Sequence, residues 1–368
     1  MMKADTIMLH GGQSSNGTGA SVTPVYQTAA YAYTSAQELA DVFAGKAPGY
    51  VYSRIANPTS VALEQRLAEL EGGIGCITTS SGMAAIASAA MGLLRAGDEI
   101  LSTSGIFGGT VSLFANTLSR FGIKTKFLQN NSSEELGKVI SERTRLIFFE
   151  TISNPAMDVP DIDRFAEVAN KHNIILVADS TATTPILIRP KDFGAHLVIH
   201  STSKFINGHG NAIGGAIIDT GLYNWRQGRF EDIALLAKRA GQMAFLSHLR
   251  NLIYRDLGGC ASPMNSFLML QGLEGLGMRM QRHCSNALAL AQFLKSHKDV
   301  KWVNYPGLAE SGYYGRVQKY FKGLGGGLLS FGLGGRESAF KFIDALKMAR
   351  NLANIGDSKT LVIHPAST

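Results

Sequence analysis

Along this chain short apolar runs alternate with stretches in which apolar residues recur every three or four positions. Cys76–Thr79, Glu99–Ser102, Lys124–Leu128, Leu146–Glu150, Ile174–Ala178 and His196–His200 read as strands, because they are short, apolar and bounded by turn residues. The intervals between most of them carry helical spacing. The clearest helix is Thr59–Glu71, with Val61, Leu63, Leu67 and Leu70 on one side and Gly72-Gly73 as its stop. Strands alternating with helices predict an α/β fold with a mostly parallel sheet covered on both faces. In such sheets ligands gather beyond the carboxyl ends of the strands.

The pattern divides the chain into three parts. Residues 1–58 are rich in Gly, Thr, Tyr and Pro and weakly periodic, which predicts an extended arm without a core of its own. Residues 59–258 hold the strand–helix alternation and form the expected large α/β domain. Residues 259–368 open with one long helical pattern from Cys260 to about Lys295, expected to bridge two domains. Val300–Val303, Gly327–Gly332 and a helix over Arg336–Lys347 then predict a smaller α+β domain, which on this reading is incomplete at Thr368.

Composition narrows the class. Of 368 residues, 45% are hydrophobic and 17% charged, as in ordinary globular domains, and no block of like charge suggests a disordered tail. The apolar stretches Ile174–Ala178 and Gly82–Leu94 fall short of the roughly 18 residues needed to cross a bilayer. Met1-Met2-Lys3-Ala4-Asp5 opens no secretory signal, so the expected location is cytoplasmic. Cys76, Cys260 and Cys284 are odd in number and widely spaced, which predicts reduced thiols and no metal site. The net charge of +7 is scattered, which speaks against nucleic acid and for attraction of small anions.

Candidate chemistry sits at the strand ends. Val198-Ile199-His200-Ser201-Thr202-Ser203-Lys204 places an amine just after a strand, flanked by hydroxyls and followed by a Gly-rich turn. That arrangement suits attack on an aldehyde, with Ser201 and Ser203 binding phosphate, although such a short motif also fits a polar surface loop. Asp179 closes the strand Ile174–Ala178 and lies 25 residues before Lys204; it could face a protonated pyridine nitrogen or simply cap a turn. Thr79-Ser80-Ser81-Gly82-Met83-Ala84 would expose backbone N–H groups at a helix N-terminus, fit for a phosphate or for a plain cap. Tyr52 and Arg54 alternate on one side of Tyr50–Thr59 and could reach one phosphate. Phe107, in Ile106–Thr110, could stack on a cofactor ring or belong to the core.

Taken together, Tyr52-Ser53-Arg54, Ser81-Gly82-Met83, Asp179 and Ser201-Thr202-Ser203-Lys204 resemble the Cys/Met metabolism family of fold-type I enzymes dependent on pyridoxal 5′-phosphate (PLP), nearly end to end. The resemblance implies that Lys204 carries PLP as a Schiff base and that Asp179 pairs with the pyridine nitrogen. It further implies that Asn154 bonds the phenolic oxygen, and that Ser81, Gly82, Met83, Ser201 and Ser203 hold the phosphate. Tyr52 and Arg54 would complete the site of a neighbouring subunit, so a homo-oligomer, expected as a homotetramer of site-sharing dimers, is implied.

Within that family, Leu268–Glu274, Trp302–Leu308 and Leu352–Asp357 resemble the O-acetylhomoserine sulfhydrylase branch, with Asn354 near the substrate where γ-lyases and cystathionine γ-synthases read Ser. This implies γ-replacement on O-acetyl-L-homoserine by a sulfur nucleophile, giving L-homocysteine and acetate, with Lys204, Asp179 and Tyr52 catalytic. A γ-lyase or a cystathionine γ-synthase is the alternative. Two features depart from the family pattern. Phe107 stands where a Tyr is common, which keeps stacking but removes a phenolic proton. The Arg that relatives place on the substrate carboxylate has no counterpart before Thr368.

Overall fold

The computed structural model describes residues 2–12, 19–129, 131–227 and 229–367; residues 13–18 of the arm and Thr368 lie outside the described residues. Its centre is a seven-stranded sheet of β1 (Gly75–Thr79), β2 (Glu99–Ser102), β3 (Lys124–Phe127), β4 (Thr144–Glu150), β5 (Ile175–Asp179), β6 (Leu197–His200) and β7 (Gly215–Asp219), in the order β1-β7-β6-β5-β4-β2-β3. All neighbours run parallel except β7, which is antiparallel to both β1 and β6. The α/β expectation is met. β7, absent from the sequence reading, is its correction: five residues behind a Gly-rich stretch carry too little pattern to announce a strand.

Alternation along each strand builds two cores. Ile147, Phe149, Leu176, Ala178 and Val198 pack on one face of the sheet. Leu146, Phe148, Ile175, Val177 and Ile199 pack on the other. A parallel sheet covered by helices on both sides demands continuous apolar strands of this kind. It also leaves the carboxyl ends as the place where polar residues can stand.

The helix Pro58–Glu71 begins with Asn57 accepting the N–H of Thr59 at 3.0 Å and ends at Gly72 with φ +66. It carries buried charges, each with a partner. Arg250 Nη2 meets Glu64 Oε2 at 2.7 Å, Arg66 donates to the carbonyls of Gly11 and Met8, and Glu71 meets His200 Nε2 at 2.6 Å. The arm is anchored at its start, where the helix Ala4–His10 buries Ile7 and Met8 in the main core. Its next helix, Ala36–Phe43, buries no residue.

The expected single helix over Cys260–Lys295 is two, Pro263–Glu274 and Leu276–Ser296, separated at Gly275. Apolar spacing continues across that glycine, which is why periodicity alone does not reveal the break. Beyond them Trp302–Asn304 pairs antiparallel with Ser330–Gly332, and the helix Arg336–Ala345 follows. Among the described residues no helix is long and apolar enough to cross a membrane, and no group of three His, Cys, Asp or Glu side chains is placed to hold a metal.

One buried histidine makes folding stability sensitive to acid. His196 Nδ1 accepts the N–H of Leu176 at 3.0 Å, so the imidazole is neutral and its Nε2 faces Asn170 Oδ1 at 3.1 Å. Burial lowers its pKa to about 4. In the unfolded chain the ring takes a proton near pH 6.5, while in the fold it resists until about 4. Stability is therefore complete above pH 6.5 and declines as pH falls toward 4, by about 2–3 kcal/mol. Urea unfolding at pH 7 and pH 4.5 should show a smaller drop for His196→Gln than for the unmodified chain; equal drops would remove the histidine from the account.

Candidate active site

β1 ends at Thr79, and the chain turns through Ser80 and Ser81 into the helix Gly82–Leu93. Ser81 caps that helix, its hydroxyl accepting the N–H of Ala84 at 3.0 Å. The first N–H groups, of Gly82 and Met83, have no intrahelical acceptor and sit at the positive end of the helix dipole, which suits an anion. Gly82 has no room for a side chain, since a Cβ there would lie 2.6 Å from Cβ of Ser201. The cradle after β1 thus closes against the turn after β6.

At the end of β5, Asp179 is 9% exposed and its Oδ1 accepts the N–H of Thr181 at 3.0 Å. Thr181 Oγ1 in turn accepts the N–H of Ser201 at 2.8 Å, which ties the ends of β5 and β6 together. Burial pushes the Asp179 carboxyl above its usual range, while hydrogen bonds from Thr181 and the nearby His200 act against that rise. A buried acid without a directly bound cation invites a positively charged group.

Lys204 follows in a tight turn, its N–H on Ser201 O at 3.2 Å and its carbonyl accepting from Gly208 at 2.8 Å. Its Nζ donates to Asn354 Oδ1 at 2.7 Å across 150 positions of sequence. Burial lowers the Lys204 pKa below its ordinary value, so the neutral amine, which is the nucleophilic and basic form, is easier to reach. Gly356, at φ +76, lets this segment pass close to the lysine loop: a Cβ there would lie 2.4 Å from the backbone nitrogen of Phe205. Ser203 spends its hydroxyl on Gly214, donating to the carbonyl at 3.1 Å and accepting the N–H at 2.9 Å. The hydroxyl of Ser201 instead lies beside Gly82.

Phe107 is 52% exposed, so it is not a core aromatic, and its N–H donates to Glu150 Oε1 at 2.7 Å. Asn154 is half-buried in the turn beyond β4. Sequence reasoning passed over Glu150 and Thr181. The signal for Glu150 was present, since an acid closes the apolar run Leu146–Phe149 just as Asp179 closes its own.

Tyr52 and Arg54 stand apart. The Arg54 guanidinium lies 5.3 Å from the centre of the Tyr52 ring and donates to the carbonyl of Arg255, and Tyr52 is 42% exposed. Among the described residues no hydrogen bond joins either to Asp179, Lys204 or Asn354. Within one chain, then, Ser81, Gly82, Ser201, Asp179, Lys204 and Asn354 converge by contact, and the arm pair does not join them.

The chain is similar to known proteins over nearly its whole length. A family model described as Cys/Met metabolism PLP-dependent enzyme matches residues 5–368. A homocysteine synthase of Schizosaccharomyces pombe is 42% identical over 99% of this chain and 88% of its own length. An O-acetyl-L-homoserine sulfhydrylase of Leptospira meyeri is 40% identical over 100% of the chain and 87% of its own length. Among solved structures, a putative O-acetylhomoserine (thiol)-lyase of Campylobacter jejuni superposes with a TM-score of 0.96 at 36% identity, covering 100% of this chain and 94% of that one; it holds a pyridoxyl-lysine monophosphate.

Proposed function

Because the chain belongs to the Cys/Met metabolism PLP-dependent enzymes, we propose that it catalyses γ-replacement on O-acetyl-L-homoserine with a sulfur nucleophile, giving L-homocysteine and acetate. The observation that carries this reading is Lys204, a part-buried amine at the carboxyl edge of the sheet, held by Asn354 and close in the chain to the Ser201 turn that packs on a helix N-terminus. Full-length relatives at about 40% identity that are named for homocysteine synthesis or for O-acetylhomoserine support the substrate class.

The residues present fit PLP. The Gly82 cradle, which a Cβ would fill, suits its phosphate; the uncompensated acid Asp179 suits its ring nitrogen; and Lys204 suits its aldehyde. The N–H groups of Gly82 and Met83, with the Ser81 and Ser201 hydroxyls, would hold the phosphate, and Ser203 would contribute what its contacts with Gly214 leave free. Asn154 would donate to the phenolic oxygen and Phe107 would cover one ring face. When bound, PLP supplies an electron sink joined to the substrate nitrogen, which acidifies the protons on Cα and Cβ.

The chain's own groups do the remaining work. Lys204 Nζ, once its place is taken by the substrate amine, would remove the protons from Cα and then Cβ, and would return them at Cβ and Cα after sulfur has replaced acetate at Cγ. Asn354 Oδ1 orients that Nζ by its 2.7 Å hydrogen bond. Asp179 would offer its carboxylate to the ring nitrogen and favour the protonated form of that nitrogen. Phe107 offers no phenolic proton, which matters little when acetate leaves, since its conjugate acid has a pKa of about 4, and matters more for a thiolate, whose acid lies nearer 8.5. The site therefore favours an ester over a thioether.

The same proposal gives the arm its use. Exposed Tyr52 and Arg54, which among the described residues make no hydrogen bond to their own Lys204 network, serve the site of a second copy, so that the enzyme is at least a dimer and in its full form a homotetramer acting in the cytoplasm. Product analysis tests the reaction. With PLP and sulfide the protein should convert O-acetyl-L-homoserine to homocysteine at least roughly tenfold faster than it releases 2-oxobutanoate from L-methionine. Faster cleavage of methionine would make it a γ-lyase instead.

A further inference from the structure

β4 and β5 run side by side in register, and their last pair is Glu150 with Asp179. In-register neighbours on adjacent strands point to the same face of a sheet, so the two carboxyls stand next to each other at its carboxyl edge. Glu150 is 8% exposed, and none of the influences on its carboxyl comes from a cation. Burial first, and then Asp179, raise its pKa well above the usual carboxylate range. A buried acid beside another acid is costly unless the fold has a use for it.

What Glu150 touches is backbone. Its Oε1 accepts the N–H of Phe107 at 2.7 Å, and the N–H of Asn154 also faces the carboxylate and favours its charged form. Phe107 and Asn154 sit on different loops, the first after β2 and the second after β4. One side chain therefore joins the two loops to the strand end that carries Asp179. We propose that Glu150 is a positioning residue: it sets the backbone at Phe107 and Asn154 relative to Asp179, so that the aromatic ring, the amide and the acid address one cofactor ring together. This role deepens the PLP-dependent reading of the site and rests on it.

The test compares Glu150→Ala and Glu150→Gln with the unmodified full-length protein, each titrated with PLP. The readouts are cofactor affinity from fluorescence, the circular dichroism that bound PLP acquires, the unfolding temperature, and kcat and KM for O-acetyl-L-homoserine. Glu150→Ala should bind PLP with altered dichroism at saturation and lose kcat by on the order of 100-fold, as expected for reacting groups misplaced by about 1 Å, with a smaller change in KM. Glu150→Gln keeps an acceptor for Phe107 but turns a donor toward Asn154, so its kcat should fall by roughly tenfold. The glutamine variant preserves volume and carries the test if the alanine variant does not fold.

Unchanged dichroism and kcat in either variant would overturn the proposal. So would a fall in unfolding temperature and affinity with kcat per bound cofactor unaltered, which is what a merely structural acid predicts. Unmodified protein that takes up no PLP would overturn the underlying reading and this role with it, whereas a cofactor-binding parent matched by its variants would overturn the role alone.

Discussion

Lys204→Ala should abolish turnover of O-acetyl-L-homoserine, by on the order of 10⁴-fold or more, and with it all covalent retention of PLP. The two losses belong together because one nitrogen performs both tasks. Its Nζ is part-buried, its pKa is lowered by that burial, and it is held on Asn354 Oδ1 rather than neutralised by a carboxylate. Such an amine is reactive without being ion-paired. Borohydride reduction followed by peptide mass analysis should find the cofactor on the Lys204 peptide of the parent and on no peptide of the variant. A small primary amine in the buffer should restore part of the proton transfer at Cα. Turnover retained by the alanine variant would place the essential amine elsewhere.

Asp179→Asn is expected to have the next largest effect, with kcat lower by about 10²–10³-fold while PLP remains attached to Lys204. The substitution keeps the size of the side chain and removes its charge. Asp179 is 9% exposed and its carboxylate is held by Thr181 rather than by an ion pair among the described residues, so the charge contributes little to the fold by itself. Removing an unneeded buried charge relieves a desolvation cost, and the cofactor-free variant should unfold at the same temperature as the parent or higher. Activity and stability thus move in opposite directions, which a structural role would not produce. A kcat within roughly twofold of the parent would exclude Asp179 from the chemistry.

Both residues are legible in the sequence because their signals are local. An apolar strand that ends in an acid, and a strand that runs into hydroxyls, a lysine and glycines, each place chemistry at a carboxyl end without any long-range information. The strand Glu99–Ser102 has in the structure the bounds its residues suggest, and β5 is shifted by one residue from its expected run Ile174–Ala178, starting at Ile175 and including Asp179 itself. Phe107 is legible only as an alternative, since an aromatic after a strand is as much at home in a core. Its 52% exposure takes it out of the core, and exposure is a property of the whole fold.

Other features were beyond the chain pattern for identifiable reasons. β7 inserts antiparallel between β1 and β6, a placement set by which strand edges are left unpaired rather than by its own five residues. Gly275 separates two helices although apolar spacing passes through it, because helix packing and not periodicity settles where the axis breaks. The arm reads as coreless, yet Ile7 and Met8 find a core on the helix Pro58–Glu71 and its neighbours, through Arg66 and the carbonyls it binds.

By itself, then, the sequence determined the fold class and nominated the amine, the acid and the small-residue helix start, since each is encoded within a few adjacent residues by strand and helix propensity. Only the tertiary structure decided that Asn354 meets Lys204 and that Glu150 stands beside Asp179 and reaches Phe107. Those meetings depend on strand register and on a chain return of 150 positions, quantities that no local pattern contains.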